Sequence, residues 1–388
     1  MSKLRTSATA PITVQSEIRA MSVLCEQVGG INMSQGICDT DVPAVVMEGA
    51  KAAMDAGFNI YTRLDGIARL RDAVAADWSR RNGVPVDPEH EVLITSGATG
   101  AFYCAARGLL DPGDEVILFE PMYGYHIYTL RGLGLEPVIA PLEYGTWALD
   151  VDALRAVITP KTRAIVLNTP SNPCGKVFTR EELQAVAAIA IEQDLFILSD
   201  EIYEHFIYPG HTHISIATLP GMKERTVTIS GFSKTYSVTG WRVGYLIADA
   251  KWIPAIGFFA DTVYICAPAP FQHGCAAGLE LLPPSFYTEL AAEHDRKRAQ
   301  TVAALQDAGL TPHIPDGAYY IVADATPLHG ATAAEKARDL LARTGVAAVA
   351  GSAFFRKGGG ENLLRFCFGK RDADLDEACE RLRSLSSK

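Results

Sequence analysis

The chain has 388 residues, 48% of them hydrophobic and 21% charged, the composition of a folded globular protein whose core is large enough to divide between two domains. Its 45 acidic and 35 basic residues leave a formal charge of -10, which argues against nucleic acid as a partner, because that affinity is built from lysines and arginines neutralising phosphates. A small-molecule partner is expected instead; neither a secretory leader nor the roughly 18 uncharged apolar residues of a membrane span is read, so the expected location is the cytoplasm, with no membrane contact.

The first 40 or so residues carry no strong periodicity and are expected to pack on a small domain built from the C-terminal third. Between about residues 90 and 250, β-branched apolar runs alternate with amphipathic helical stretches. The runs are EVLITS (91–96), DEVILFE (114–120), RAIVLN (163–168), DLFILSD (194–200), RTVTIS (225–230) and VGYLIA (243–248). That rhythm predicts parallel strands covered by helices on both faces. In TREELQAVAAIAIEQ, Thr179 followed by Glu182 predicts a capping box. From about residue 285 a charged helix, ELAAEHDRKRAQTVAALQDAG, leads into short strands around AYYIVAD and NLLRFCFG, the pattern of a smaller α+β domain, with RKGGGEN as a short flexible loop. The eight cysteines (25, 38, 104, 174, 266, 275, 367 and 379) form no C-x-x-C pair, so they read as reduced thiols and no metal site is expected.

Ligands of open α/β sheets bind beyond the carboxyl ends of the strands, so the residues that follow each run carry the functional signal. After the first run comes Ser96-Gly97-Ala98-Thr99-Gly100, small residues entering a helix whose exposed N–H groups suit a phosphate; a plain strand-to-helix turn reads the same way. Pro121-Met122-Tyr123 follows the second run and sets an aromatic ring at the rim, as a stacking surface or as core. TPSNPCGK follows the third, with Asn172 between two X-Pro steps that restrict the backbone. Asp200-Glu201-Ile202-Tyr203 closes the fourth; an aspartate ending a buried apolar run demands a cationic partner. ISGFSKTYSVTGWRVGY (229–245) follows the fifth, with Lys234 and, eight positions on, Arg242. An arginine and a helix N-terminus for a phosphate, a lysine for an aldehyde and an aspartate for a ring nitrogen together describe pyridoxal phosphate.

With MSQGICD, YTRLDGIARLRDAVA, SGATGA, DPGDEV, NTPSNPCG, DEIY, SGFSKTYSVTGWRVGY and LLRFCFG in this order along nearly the whole chain, the sequence resembles the class I pyridoxal-phosphate aminotransferases of the fold-type I superfamily. The expected architecture is α/β: a large domain (46–284) with a mostly parallel seven-stranded sheet between helices, and a smaller α+β domain from residues 285–388 with the N-terminal segment 1–45 packed on it. The resemblance implies an enzyme that moves an amino group from an L-amino acid to a 2-oxo acid by a ping-pong mechanism, working as a homodimer with shared active sites. Lys234 is then the Schiff-base lysine and proton shuttle, Asp200 the partner of the pyridine nitrogen, and Tyr203 and Asn172 the partners of the phenolic oxygen, with Tyr123 stacked on the ring. Gly97, Ala98, Thr99, Ser233 and Arg242 hold the phosphate, and Tyr61 reaches it from the neighbouring subunit. Arg365 clamps the substrate α-carboxylate, assisted by Gly36 and Asn172.

The sequence departs from the family pattern at two places. Cys38 stands before Asp39 where a proline is usual, and Gly231 stands where some relatives carry a phosphate-binding serine, leaving Ser230 or Ser233 to supply the hydroxyl. The same scaffold admits a β-lyase or decarboxylase, since the first deprotonation is shared, or a non-catalytic regulatory protein. Acidic substrates call for a second basic residue; Arg107 is a candidate for that role or for a helix-end arginine meeting the dipole. Tyr125, Tyr264, Phe354 and Phe355 line an aromatic-tolerant pocket or belong to the core.

Overall fold

The computed structural model describes residues 17–356 and 358–387, together with positions 4, 6 and 7. The expectation for the N-terminal segment therefore falls partly outside the described residues, as does that for position 357 in the RKGGGEN loop.

Strand β1 (Ile31–Asn32) is followed by seven strands that form one sheet: β2 (Val92–Thr95), β3 (Glu115–Glu120), β4 (Glu136–Pro141), β5 (Thr162–Asn168), β6 (Phe196–Asp200), β7 (Thr226–Gly231) and β8 (Gly244–Ile247). Their order is β2-β8-β7-β6-β5-β3-β4. Alternate residues feed opposite cores: Val116, Leu118, Ala164, Val166 and Leu198 face one cluster, while Ile117, Phe119, Ile165, Leu167 and Ile197 face the other. Two covered faces explain why these runs read as continuously apolar rather than alternating. Strand β4, which the apolar runs did not announce, begins and ends beside prolines and lies at the sheet edge, where a missing N–H costs no ladder bond.

The six parallel strands and β8 differ in direction in a way that matters for function. Strand β8 runs antiparallel to both β2 and β7, with Gly244 opposite Thr95 on one side and Gly231 on the other. Because β8 is reversed, its first residues lie at the carboxyl edge of its neighbours. The segment between β7 and β8, which holds Lys234 and Arg242, thus starts and finishes on the same edge of the sheet. The predicted capping box is present: Thr179 Oγ1 accepts from Glu182 N–H at 3.2 Å and Glu182 accepts from Thr179 N–H at 2.8 Å.

Strands β9 (Thr311–His313), β10 (Tyr320–Asp324), β11 (Val346–Ala347), β12 (Val349–Ala350) and β13 (Leu363–Cys367) follow. Four of them form an antiparallel sheet in the order β12-β13-β10-β9, and β11 pairs in parallel with β1. Met21, Cys25, Met33 and Cys38 from the N-terminal segment share one core with Leu340, Leu364, Phe366 and Leu375. The early chain therefore closes over the C-terminal sheet and extends toward the edge where Lys234 stands. All eight cysteines are free thiols, and among the described residues no helix is long and apolar enough to cross a membrane.

Candidate active site

A cavity of about 640 Å³ opens at the carboxyl edge of the large sheet, lined from the N-terminal segment, the strand-end loops and β13. It brings together Gly36, Ala98, Thr99, Tyr123, Asn172, Asp200, Tyr203, Ser233, Lys234, Arg242 and Arg365 from the sequence expectations. Gly97 lies beside it against the Arg242 guanidinium. Tyr61 is 76% exposed and does not line this chain's cavity.

Asn168 and Asp200 end adjacent strands and face each other in register. Asn168 Nδ2 donates to the Asp200 carbonyl at 3.2 Å, and its Oδ1 accepts from Asn172 N–H at 2.8 Å, so one amide fixes the start of the TPSNPCG turn. The Thr169–Pro170 and Asn172–Pro173 bonds within that turn are both cis. The partner that Asp200 required is His126, whose Nε2 lies 3.0 Å from Asp200 Oδ2, both side chains buried. The other carboxylate oxygen accepts from Ile202 N–H at 3.3 Å. Sequence reasoning missed His126, although it sits only three residues after Tyr123, on the helix Gly124–Gly132; the two rings meet edge to face at 5.3 Å.

Lys234 Nζ donates to the Gly36 carbonyl at 2.7 Å and stands 5.9 Å from the Tyr203 and Tyr319 ring centres. Burial away from water pulls its pKa from the usual lysine range down to about 8, with the nearby Arg365 charge acting in the same direction. The amine is therefore partly neutral near physiological pH, which a nucleophile or base requires and a solvated turn lysine lacks. Tyr203 O–H and Tyr320 O–H share a hydrogen bond of 2.7 Å, and burial raises both phenols well above the ordinary tyrosine range.

The helix Gly97–Leu109 begins at Ser96 without a side-chain cap, so its first N–H groups are left for another acceptor. Gly97 has φ +70, and a Cβ there would lie 2.6 Å from Arg242 Nη2; only glycine lets the guanidinium rest against this turn. Arg242 also has positive φ (55), and it donates to Thr239 O at 3.1 Å and Ser96 O at 3.4 Å. Of the two candidate serines, Ser233 lines the cavity, whereas Ser230 is turned away and donates to Glu204 Oε1 at 2.7 Å. Gly231 cannot be replaced by a larger residue without cost, because a Cβ would meet Gly244 Cα at 2.8 Å across the β7–β8 pair.

Arg365 comes from the middle of the small sheet, opposite Val322 and Val349. Its buried guanidinium lies between the Tyr320 and Phe354 rings, at 4.5 and 5.1 Å. Nη1 donates to Asn172 Oδ1 at 2.9 Å, Nη2 donates to Ser34 O, and Nε is buried with no acceptor. An unspent donor on a buried arginine is costly unless an anion completes it, and a carboxylate matches that fork.

Cys38, at the first departure from the family pattern, is buried with Thr40 Oγ1 at 3.2 Å and His294 Nε2 at 3.6 Å. Burial pushes its thiol up, but the His294 contact outweighs this and brings it to about 7. Of the possible pocket aromatics, Tyr125 lines the cavity and Phe354 supports Arg365, while Tyr264 lies against Cys104 and Phe355 against Trp147. Arg107 is not at the cavity: it lies in the last turn of its helix, 4.9 Å over the Phe259 ring. A different arginine, Arg19, lines the cavity from the helix Glu17–Gln27, and the weak periodicity of that segment gave no signal of it.

The donor set fits pyridoxal phosphate on structural grounds: a desolvated amine, a buried carboxylate held by an imidazole, and an uncapped helix start with an arginine pressed on glycine. A second arginine with a spare buried donor completes it.

The family model described as Aminotransferase class I and II matches residues 28–382. The chain is 37% identical to a probable N-succinyldiaminopimelate aminotransferase, DapC, of Mycobacterium tuberculosis over 100% of this chain and 99% of that one. It is 36% identical to kynurenine–oxoglutarate transaminase 3 of Mus musculus, covering 92% of this chain and 85% of the relative. The solved structure of N-succinyldiaminopimelate aminotransferase from Mycobacterium tuberculosis superposes with a TM-score of 0.95 at 36% identity, covering 98% of this chain and all of that one.

Proposed function

The chain belongs to the class I and II aminotransferases, and from that premise we propose how its own residues carry out transfer of an amino group from an L-amino acid to a 2-oxo acid. The single observation that carries the assignment of roles is the Lys234 amine, lowered to about 8 in the same cavity as the Asp200–His126 pair and the Arg365 fork. Bound pyridoxal phosphate supplies an electron-withdrawing ring that stabilises negative charge at the substrate Cα.

Lys234 would hold pyridoxal phosphate covalently, and its Nζ would be the base that takes the substrate Cα proton and returns it in the two half-reactions of a ping-pong cycle. Asp200, oriented by the His126 contact, would partner the ring nitrogen, and Tyr203 and Asn172 would partner the phenolic oxygen. Tyr123, which lines the cavity, would cover one ring face. Gly97, Ala98, Thr99, Ser233 and Arg242 form the phosphate cup, combining helix N–H groups with a charged fork. Arg365 takes the α-carboxylate through Nε and one Nη, with Asn172 and Gly36 shaping the same end.

The working unit we propose is a cytoplasmic homodimer. Phe58, Ile60, Tyr61 and Leu64 form an exposed apolar stretch, Leu64 lies against Gly257, and Phe258 and Val263 on the helix Ile253–Tyr264 and Ile265 just past its end are exposed as well. A second copy would cover this surface and bring its own Tyr61 to the phosphate cup. The functional division that goes with this reading is 1–45, 46–284 and 285–388, with the large segment carrying the cofactor and the other two closing over the substrate.

A panel of L-amino acids with 2-oxoglutarate or pyruvate as acceptor tests the reaction. One equivalent of new amino acid should form for each 2-oxo acid released; release of pyruvate and ammonia without an acceptor would instead mean a lyase. The role of Lys234 predicts a pH dependence. In cofactor-free protein the neutral amine is the reactive form, so the rate of pyridoxal phosphate capture should rise as pH passes upward through about 8 and level off above it. Stopped-flow absorbance across pH 6–10 measures this, and a rate that rose only near the ordinary lysine range would refute a desolvated amine.

A further inference from the structure

We propose that Tyr320 is a positioning residue of this site: its hydroxyl donates to Tyr203 Oη, which commits the single Tyr203 phenol proton to the phenolic oxygen of pyridoxal phosphate. The inference rests on the transaminase reading of the same cavity and adds to it a residue that acts through Tyr203.

Tyr320 reaches the cavity from β10, where it pairs with Cys367, while Val322, two positions on, pairs with Arg365. Residues two apart share a face of a strand, so Tyr320 and Arg365 are diagonal neighbours on the cavity side of the small sheet. The Arg365 guanidinium accordingly lies over the Tyr320 ring, 4.5 Å from its centre. The hydroxyl is placed as closely as the ring. A Cβ at position 36 would collide with Tyr320 Oη, so glycine there leaves the room it occupies, and Tyr203 Oη lies 2.7 Å away.

Two phenols hold two protons, and the bond between them uses one. The other is free for an acceptor in the cavity, and it belongs to whichever phenol does not donate to its neighbour. The surrounding charge decides between them. The Arg365 cation over the Tyr320 ring stabilises negative charge on that phenol and makes its proton the easier one to give, whereas Asp200 near Tyr203 acts in the opposite sense. Tyr320 is therefore the donor and Tyr203 the acceptor, which leaves the Tyr203 proton free. A hydroxyl that accepts a hydrogen bond also donates its own more strongly. Lys234 Nζ stands 5.9 Å from the Tyr203 ring centre, so a group held by that amine comes within reach of this proton. The other titratable groups about the pair are Tyr123, Tyr319 and Cys367, and a change confined to the Tyr320 oxygen leaves all of them in place.

The test follows the lysine-dependent absorbance band of holoenzyme from pH 5 to 10 in the wild type, Tyr320→Phe, Tyr203→Phe and the double variant. A donor at the phenolic oxygen stabilises negative charge there and eases loss of the proton held beside it, so losing the donor raises the pH midpoint of the band. Tyr203→Phe should raise the midpoint by roughly 1 unit or more, and Tyr320→Phe by about 0.2 to 0.6 unit, the share of a bond's strength that a polarising neighbour adds. In the Tyr203→Phe background, Tyr320→Phe should add nothing. Tyr320→Phe keeps the ring under Arg365, so calorimetry with propionate, an unreactive monocarboxylate, should match the wild type within about twofold. Tyr320→Leu, which removes the ring, should bind propionate roughly 3- to 10-fold more weakly. An unchanged midpoint in Tyr320→Phe, additive shifts in the double variant, or equal loss of propionate binding in Tyr320→Phe and Tyr320→Leu would overturn the inference. A wild-type holoenzyme with no lysine-dependent band would instead remove the cofactor reading itself, a result distinct from all three.

Discussion

Replacing Lys234 with alanine should abolish turnover, by at least roughly 10⁴-fold, without loss of the fold. General-base catalysis alone is worth about 10²- to 10⁴-fold, and the same side chain anchors the cofactor, so both contributions disappear together. The fold is spared because the amine contributes little to it. Nζ makes one hydrogen bond, to the Gly36 carbonyl, and its lowered pKa shows that burial disfavours the charged form. Relieving that desolvation offsets the lost bond, so thermal unfolding should stay close to wild type. The bound-cofactor absorbance should lose its lysine-dependent band while phosphate-dependent retention persists through Arg242 and the Gly97 turn. A Lys234→Ala enzyme that kept more than about a hundredth of wild-type turnover would rule out this lysine as the base.

What the sequence disclosed follows from how locally each signal is written. The carboxyl ends of the strands were legible because their chemistry is carried by residues that punctuate a chain: Gly97 after β2, the Asn-Pro turn after β5, Asp200 at the end of β6. The apolar runs disclosed β2, β3, β5, β6, β7 and β8, since a sheet covered on both faces leaves no alternation to confuse. Strand β4 escaped because its prolines imitate a loop, a cost that only an edge position removes. The antiparallel sense of β8 escaped as well, because direction is set by what pairs with Gly244 and not by composition. His126 was hidden for a different reason: its partner lies 74 positions away, and only the fold brings the two buried groups within 3.0 Å. Ser230 and Ser233 differ in neither type nor neighbourhood along the chain. Ser230 lies on β7 and reaches Glu204, whereas Ser233 lies in the turn beyond the strand's end and stays at the cavity.

Replacing Asp200 with alanine should retain cofactor binding and lower turnover by about 10- to 10³-fold. An opposite charge at hydrogen-bond distance shifts a partner's pKa by about 1 to 3 units, and each unit is a factor of ten in the population of the protonated ring nitrogen on which the reaction depends. His126 touches Asp200 and not the reacting atoms, so its contribution passes through the carboxylate. His126→Gln should therefore cost less, on the order of one such unit, and should move the pH profile of kcat more than KM. The double variant separates a relay from two independent roles. If His126 works by orienting Asp200, His126→Gln should add almost nothing in the Asp200→Ala background, giving a coupling energy close to the whole effect of the single His126 change. Additive losses would mean that His126 acts on the cavity by its own packing, through the Phe102 and Tyr123 rings it touches at 4.4 and 5.3 Å.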